Sequence, residues 1–285
     1  MRMRSWMLPL LGAAFLAASS TVACAIPSLA GPTGIVMVPT AEVAPTTQWQ
    51  TAVSYRSVEV TEMYEADASL WGLQILKGVA DDAELYARYI RSTNGEDTNI
   101  WEIGGKYQIS ERVFQGRGFL ADTDIALGAS LGRWVDAFGM YEMTGSYAPD
   151  VDTFKLYAVA TKQVYPLGTT VDWEWGTPTG TVVIGTAGLL YQSIDPDVGG
   201  SETSLRPFVG VEIIGAGDLT LGLEYRAKDS NIEEEALYSA VLRRQFGPRT
   251  AVELGTTNAS PIGLGREEQA FFLRLGYDLP LVEMF

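Results

Sequence analysis

The residues that could do chemistry in this chain are acids and bases that stand singly at alternate positions of short segments. Glu102 and Lys106 share one such segment, and Glu224 and Arg226 share another. Alternate positions of an extended strand lie on one face, so these side chains would meet in a common interior. There they can form ion pairs or, less commonly, act as general acids and bases. The fourteen residues of this kind, seven acids and seven bases, are Arg56, Glu84, Arg88, Glu102, Lys106, Asp124, Lys155, Glu212, Glu224, Arg226, Arg243, Glu253, Arg274 and Asp278.

Catalytic and cofactor chemistry is disfavoured by the residues around these charges. The chain contains no histidine, which is the usual base or orienting residue of hydrolytic sites. A hydrolase built on paired carboxylates is the remaining enzymatic alternative. We therefore predict a non-enzymatic protein with no catalytic residue, no cofactor and no metal site. The glycine pairs Gly116-x-Gly118 and Gly263-x-Gly265 lack the strand-to-helix context of a phosphate-binding loop. The acidic groups Asp150-x-Asp152, Asp195-x-Asp197 and Glu233–Glu235 lack the ligand spacing of a dedicated calcium site.

The first residues have the pattern of a secretory leader. Arg2 and Arg4 precede an apolar run, and the small residues Ala23-Cys24-Ala25 follow it. This pattern predicts a signal peptide over residues 1–25, cleaved after Ala25. Lipidation of Cys24 is the alternative, although Thr21 stands where lipoprotein signals usually carry leucine.

Charge and cysteine content limit the partners. The chain has a net charge of −15, and loss of the leader would remove two arginines and make it −17, so we do not expect it to bind nucleic acid. Cys24 is the only cysteine, and the remainder of the chain therefore has no disulfide. Export without disulfides is compatible with a large β-structure.

The elements that must position the fourteen charges are strands, because apolar side chains alternate with polar or small ones over segments of about ten residues. From Leu219 to Tyr225, for example, leucines and a tyrosine alternate with Thr220, Gly222 and Glu224. Residues 138–147 and 169–176 are further candidates for strands or loop excursions. The twelve predicted strands, a count uncertain by about two, are 47–57, 68–77, 83–91, 98–109, 122–133, 153–165, 180–191, 204–214, 218–227, 236–246, 249–255 and 269–279.

The connections between these strands differ in length and charge. Residues 78–82, 215–217 and 247–248 are short, whereas 110–121 and 166–179 on the same predicted side are longer. The six connections on the opposite side contain nineteen acids and only two bases, Lys228 and Arg266. Alternating short turns and long outer loops are typical of outer-membrane barrels. An acidic outer rim either keeps the surface solvated or binds divalent cations shared with lipopolysaccharide phosphates.

The composition of the two strand faces favours a membrane barrel over a soluble sandwich. The polar face mixes small residues with single charges, as a crowded lumen would, and its charges balance. Aromatic side chains on the apolar face lie mostly near predicted strand ends, as in the aromatic girdles of membrane barrels. We therefore predict an all-β fold, an antiparallel transmembrane β-barrel of about twelve strands over residues 47–285. The aromatic residues are Trp49, Tyr55, Trp71, Trp101, Tyr107, Tyr225, Phe246 and Tyr277.

The segment 26–46 before the first strand carries a family resemblance. It contains a Gly-x-x-Gly, Gly31 to Gly34, then an apolar run and Pro39-Thr40-Ala41. This opening resembles that of the YjbH-like outer-membrane proteins associated with bacterial exopolysaccharide, over about 25 residues, and the present chain is shorter than typical members. The resemblance implies an outer-membrane barrel linked to surface polysaccharide. Physically, the segment is either a small plug in the barrel mouth or a periplasmic lead-in.

These observations lead to one functional hypothesis and two alternatives. The first is a non-enzymatic outer-membrane barrel that serves exopolysaccharide production or envelope structure. The alternatives are a small passive diffusion channel and a soluble periplasmic sugar-binding β-protein. The expected partners are outer-membrane lipid and lipopolysaccharide, the barrel-assembly machinery, which commonly recognises chains ending in phenylalanine such as Phe285, and polysaccharide.

Overall fold

The computed structural model describes most of the chain from residue 27 to residue 280. The predicted leader, the cleavage site and the C-terminal residues 281–285 lie outside the described residues. The described ranges are 27–58, 68–92, 99–109, 123–135, 142–143, 146–147, 150–164, 170–172, 177–179, 181–197, 200–215, 219–229, 235–247, 249–259 and 265–280. Within them, no helix is long and apolar enough to cross a membrane.

Twelve antiparallel strands form a closed barrel in which the first and last strands pair with each other. Trp49 of β1 lies opposite Leu279 of β16, so the sheet has no free edge. The barrel strands are β1 (Gln48–Val58), β2 (Ala68–Ala80), β3 (Ala83–Ser92), β4 (Asn99–Gln108), β5 (Thr123–Val135), β8 (Asp150–Val164), β11 (Val182–Pro196), β12 (Glu202–Gly215), β13 (Leu219–Arg226), β14 (Leu237–Phe246), β15 (Thr250–Ala259) and β16 (Gly265–Pro280).

The structure confirms the predicted twelve-strand fold and corrects the ends of the strands, most of all at β11, which continues to Pro196, past the predicted end at 191. β15 continues to Ala259, past the predicted end at 255, through a register irregularity between Thr257 and Ala259. The last strand begins at Gly265, before the predicted start at 269, and is described as far as Pro280. The two doubtful segments contribute small hairpins that do not join the barrel, namely β6 (Glu142–Met143) with β7 (Ser146–Tyr147) and β9 (Thr170–Asp172) with β10 (Thr177–Thr179).

Burial alternates along the barrel strands with period two. In β13 the leucines at 219, 221 and 223 are exposed, whereas Thr220, Gly222 and Glu224 between them are buried. Leu273 and Leu275 of β16 are likewise exposed, on either side of a buried Arg274. In a water-soluble barrel this pattern would be reversed, because exposed large apolar surfaces are costly in water. The outer wall is therefore a lipid-facing surface.

Aromatic side chains flank this apolar wall near both barrel ends. The strand registers place one group near the end of the barrel where β1 stops and a second near the end where it starts. Amphipathic rings at these two levels match the membrane interfaces. The first group is Tyr55, Trp71, Trp101 and Tyr225, and the second is Trp49, Tyr107, Phe246 and Tyr277.

Candidate functional site: a lumen filled by the N-terminal segment

The fourteen charged residues singled out in the sequence lie on the inward face of the barrel strands. Twelve are buried, while Asp124 and Arg243 are partly buried. They do not form a single cluster. The structure brings most of them together in two networks along the wall and in a third set of contacts to residues 27–46.

The first network is centred on the carboxylate of Glu102 in β4. Arg88 of β3 donates to it from Nη2 at 2.5 Å and from Nε at 3.1 Å, and Lys155 of β8 donates from Nζ at 2.8 Å. The Tyr86 hydroxyl also donates to this carboxylate, at 3.0 Å. One anion is thus shared by two cations, which leaves an excess of positive charge in this part of the lumen.

The second network lies on the opposite wall. The Arg243 guanidinium bridges two carboxylates, with Nε 2.5 Å from Glu253 and Nη1 3.1 Å from Glu212. Arg274 forms a further ion pair with Glu253. Pairing of this kind reduces the cost of burying these charges.

Residues 27–46, hereafter the plug, lie inside the barrel. Their contact with Glu224 of β13 is the most specific one. This carboxylate accepts hydrogen bonds from three consecutive backbone amides, those of Val36 at 3.1 Å, Met37 at 2.8 Å and Val38 at 3.0 Å. Successive amides that converge on one anion form a backbone nest.

Glu84 and Lys106 hold the rest of the plug backbone. Glu84 accepts from the Thr33 amide at 3.0 Å, from the Thr33 hydroxyl, and from the Ala44 amide at 2.8 Å. Lys106 forms an ion pair with Glu84 at 3.1 Å and donates to the Thr40 carbonyl at 2.9 Å. The wall therefore recognises both the donors and the acceptors of the plug backbone. This explains how a segment whose only ionisable side chain is Glu42 is retained among many charges.

The apolar side chains of the plug pack into recesses of the wall. Ile35 is fully buried and lies against Gly210 and Gly222. A Cβ built on Gly222 would lie 2.7 Å from Ile35 Cγ2, and one on Gly210 would lie 2.4 Å from Ile35 Cδ1. These glycines leave the space that Ile35 occupies. Further along the plug, Val38 and Ala41 pack with Tyr157, Phe208 and other apolar side chains of β5, β8, β11 and β12.

We expect Gly222→Val to loosen the plug without preventing barrel closure. The added side chain competes with Ile35 of the plug and with Val241 of β14, each 2.7 Å from the Cβ position, and overpacking of this kind typically costs about 1–3 kcal/mol. The readout, hereafter the plug-release assay, uses a cysteine in place of buried Val36 in a chain whose Cys24 is changed to serine. An impermeant maleimide should react with that thiol only when the plug leaves the lumen, so labelling should accelerate by about tenfold or more.

Gly185→Val is the matched control. No atom lies within 4 Å of a Cβ built on Gly185, so the same side chain is added there without a clash. Equal labelling rates in the two variants would show that Ile35 does not depend on the space at Gly222.

Several inward-facing residues were not predicted. Arg206 of β12 is buried beside Gln192, to which it donates at 2.6 Å. Arg206 and Glu212 are both even-numbered positions of β12 and therefore lie on the same face of the strand, so the predicted inward position of Glu212 was sufficient to place Arg206 in the lumen. Four aromatic rings also point inward, and each lies against a glycine of a neighbouring strand. A glycine at the position paired with the aromatic residue is the sequence feature that could have identified them. The pairs are Tyr86 with Gly104, Tyr157 with Gly128, Phe208 with Gly188 and Phe272 with Gly255.

Acids at the end of the barrel where β1 stops surround one arginine. Arg133 forms ion pairs with Asp150 at 2.8 Å and Asp152 at 3.2 Å, and Asp197 lies 3.8 Å from it. These side chains are partly exposed to solvent, so the pairs contribute little stability. Across the residues that the structure describes, no group of three or more metal-binding side chains is arranged to hold an ion.

A closed barrel with a lipid-facing outer wall and a charged interior defines a transmembrane β-barrel. No protein-family model matches the chain, and no curated protein matches it. Among solved structures it is similar to the KdgM porin, with 13% identity and a TM-score of 0.49 over 79% of this chain and 98% of that chain.

Two other membrane barrels show a comparable similarity. The outer membrane protein Omp33 of Acinetobacter baumannii has 8% identity and a TM-score of 0.45 over 82% of this chain and 99% of that one. The translocator domain of the autotransporter NalP from Neisseria meningitidis has 15% identity and a TM-score of 0.45 over 81% and 87%. At these values the similarity says nothing about what this chain binds or transports.

Proposed function

We propose that this chain is a non-enzymatic outer-membrane β-barrel whose lumen is sealed by its own N-terminal segment, and that it serves surface polysaccharide production or envelope structure. The observation that carries the proposal is the contact of Glu224 with three successive plug amides. A segment bound in this way occupies the path that a solute would take. The leader pattern and the lipid-facing wall support location in an outer membrane, where barrels of this kind occur.

The link to polysaccharide rests on the N-terminal resemblance. Gly31, Gly34 and the Pro39-Thr40-Ala41 run, which carry the resemblance, are all plug residues and all buried in the lumen. The sequence features shared with the YjbH-like proteins thus coincide with the segment that the lumen binds. This supports a role in which the plug itself, rather than an open pore, is the functional part.

The partners follow from the surfaces. Lipid contacts the apolar wall, and the acidic outer connections suit divalent cations shared with lipopolysaccharide. Recognition by the barrel-assembly machinery during insertion is proposed from the closed membrane-barrel fold. Polysaccharide is the remaining proposed partner.

A passive channel for small solutes is the second candidate. The wall behind the plug favours this candidate, because paired acids and bases line it. Charged side chains also line water-filled pores. In this case the plug would leave the lumen when the channel opens. A soluble sugar-binding protein is disfavoured by the exposed leucines of β13 and β16.

Two experiments together separate the first two candidates. We expect the full chain, inserted into planar bilayers at neutral pH, to show no steady ion conductance. In the bacterium that produces it, we expect deletion of the chain to reduce surface polysaccharide and to leave the uptake of small hydrophilic solutes unchanged. Steady conductance of the full chain, with reduced solute uptake and normal polysaccharide after deletion, would support the channel instead.

A further inference from the structure

A small cavity lies between the plug and the wall, in a part of the lumen that the plug contacts described above do not use. It is bounded by Leu29 of the plug, by Ser54 and Arg56 of β1, and by Gly72 and Gln74 of β2, with two aliphatic side chains completing it. It has room for about one water-sized molecule. Because Leu29 closes one side, anything held in the cavity contacts the plug and the wall at once.

Arg56 gives this cavity a positive charge. Its side chain is 4% exposed, and its Nη1 donates to the backbone carbonyl of Ala259 at 2.8 Å. In the described part of the chain it forms no ion pair with a carboxylate. An arginine does not lose its proton when it is buried, so an uncompensated guanidinium there needs a counterion.

Among the described residues, the surroundings of Arg56 do not supply that counterion. The neighbouring Arg88 is a second cation, and its partner Glu102 is already shared with Lys155. On the other side of β1, Arg274 lies opposite Ser54 in the strand register and pairs with Glu253. The cavity therefore lies in a region where positive charge exceeds negative charge among the described residues.

The remaining polar groups of the cavity are suited to an anion. Ser54 has a hydroxyl that can donate, and its oxygen faces Gly72, where a Cβ would lie 2.4 Å from it. The Gln74 amide oxygen is buried and has no hydrogen-bond partner among the described residues, so the side-chain amide can be assigned with its NH2 group toward the cavity. The Arg56 guanidinium, the Ser54 hydroxyl and the Gln74 amide thus line a space for about one water-sized molecule.

From this geometry we propose that the cavity binds a small monatomic anion of the halide type, with chloride as the physiological ligand, and that the bound anion links the plug to the wall. Polyatomic anions such as phosphate or sulfate do not fit a cavity of this size. This site goes beyond the proposed function, because it stands on the position of the plug alone and holds whether or not the barrel serves polysaccharide production.

The direct test is crystallography of the full chain in bromide, which scatters anomalously and replaces chloride. We expect an anomalous peak in the cavity beside Arg56, and its loss in Arg56→Gln. Arg133→Gln, at the solvent-accessible end of the barrel, is the matched control and should keep the peak. A water molecule, or a side chain from another part of the chain, in place of the peak would overturn the proposal.

The second test measures the consequence in solution. The plug-release assay is run in gluconate and again in chloride, with chloride at ten times the dissociation constant of the chloride–protein complex. Labelling should be about tenfold slower in chloride, because a ligand that binds only the plugged state shifts the equilibrium toward that state. Arg56→Gln should abolish this chloride dependence, and Arg56→Lys, which keeps the charge, should retain part of it. Labelling that is independent of chloride in the unmodified wall would contradict the proposed link between anion and plug, even if bromide binds.

Discussion

Deletion of plug residues 27–44 is expected to convert a sealed barrel into a conducting one. Barrels of about eight strands are filled by their own side chains, whereas those of about sixteen strands hold an aqueous channel. Twelve strands lie between these limits, so the state of the lumen depends on what fills it. Here the filling includes Ile35, Val36 and Val38, which are almost completely buried. Their removal leaves space lined by charged side chains, which fills with water and ions.

The measurement is single-channel conductance in planar bilayers, with the full chain and the deletion variant compared in the same salt. A variant in which residues 27–44 are replaced by a flexible Gly/Ser segment of equal length controls for chain length and should conduct like the deletion. Closure of the barrel is checked independently by the heat-dependent shift in electrophoretic mobility that folded barrels show. A closed deletion variant without conductance would mean that the wall side chains alone occlude the lumen.

The barrel strands could be predicted from the sequence because all of them follow one simple rule. One face contacts lipid and the other contacts the lumen, so apolar and polar residues alternate, as from Leu219 to Tyr225. Each barrel strand overlaps its predicted range, and the differences are confined to strand ends such as the extension of β15 to Ala259. Strand ends are less certain because the alternation carries no information where a strand leaves the membrane.

The position of the plug could not be predicted for a physical reason. Its retention depends on backbone amides and carbonyls, which every residue has, and its side chains are mostly small or apolar. A plug and a lead-in therefore have the same composition. The one readable feature is on the wall, where Gly210 and Gly222 leave space for Ile35, and that feature acquires its meaning only when the strands are in register.

The pairing of the lumen charges could be predicted from the sequence only in part, for a similar reason. Strand parity placed the acids and bases on one face, but it could not tell which acids pair with bases and which bind the plug. Glu102 is held by Arg88 and Lys155, whereas Glu224 receives backbone amides. Both are single acids in alternating strands, and the difference depends on a segment that lies nearly 190 residues away in the chain.

Loss of the Glu224 carboxylate is expected to release the plug. Glu224→Leu removes the acceptor of the amides of residues 36–38 and leaves those amides buried without a partner. Each buried donor left without a partner typically costs about 1–3 kcal/mol, so loss of the acceptor shared by three amides corresponds to a shift of about 10²-fold or more in the equilibrium between the plugged and released states. Labelling in the plug-release assay should accelerate by a similar factor, and Glu224→Gln, which keeps one oxygen acceptor, should have a smaller effect.

Glu253→Gln is the matched control for this prediction, because Glu253 is equally buried but contacts the wall residues Arg243 and Arg274 instead of the plug. It should lower the unfolding temperature of the barrel while leaving the labelling rate of residue 36 close to that of the unmodified wall. If Glu253→Gln released the plug as readily as Glu224→Leu, retention would depend on general stability of the wall and not on the nest of plug amides. If neither variant changed labelling, the apolar packing of Ile35 and Val38 would have to account for the whole free energy of plug binding.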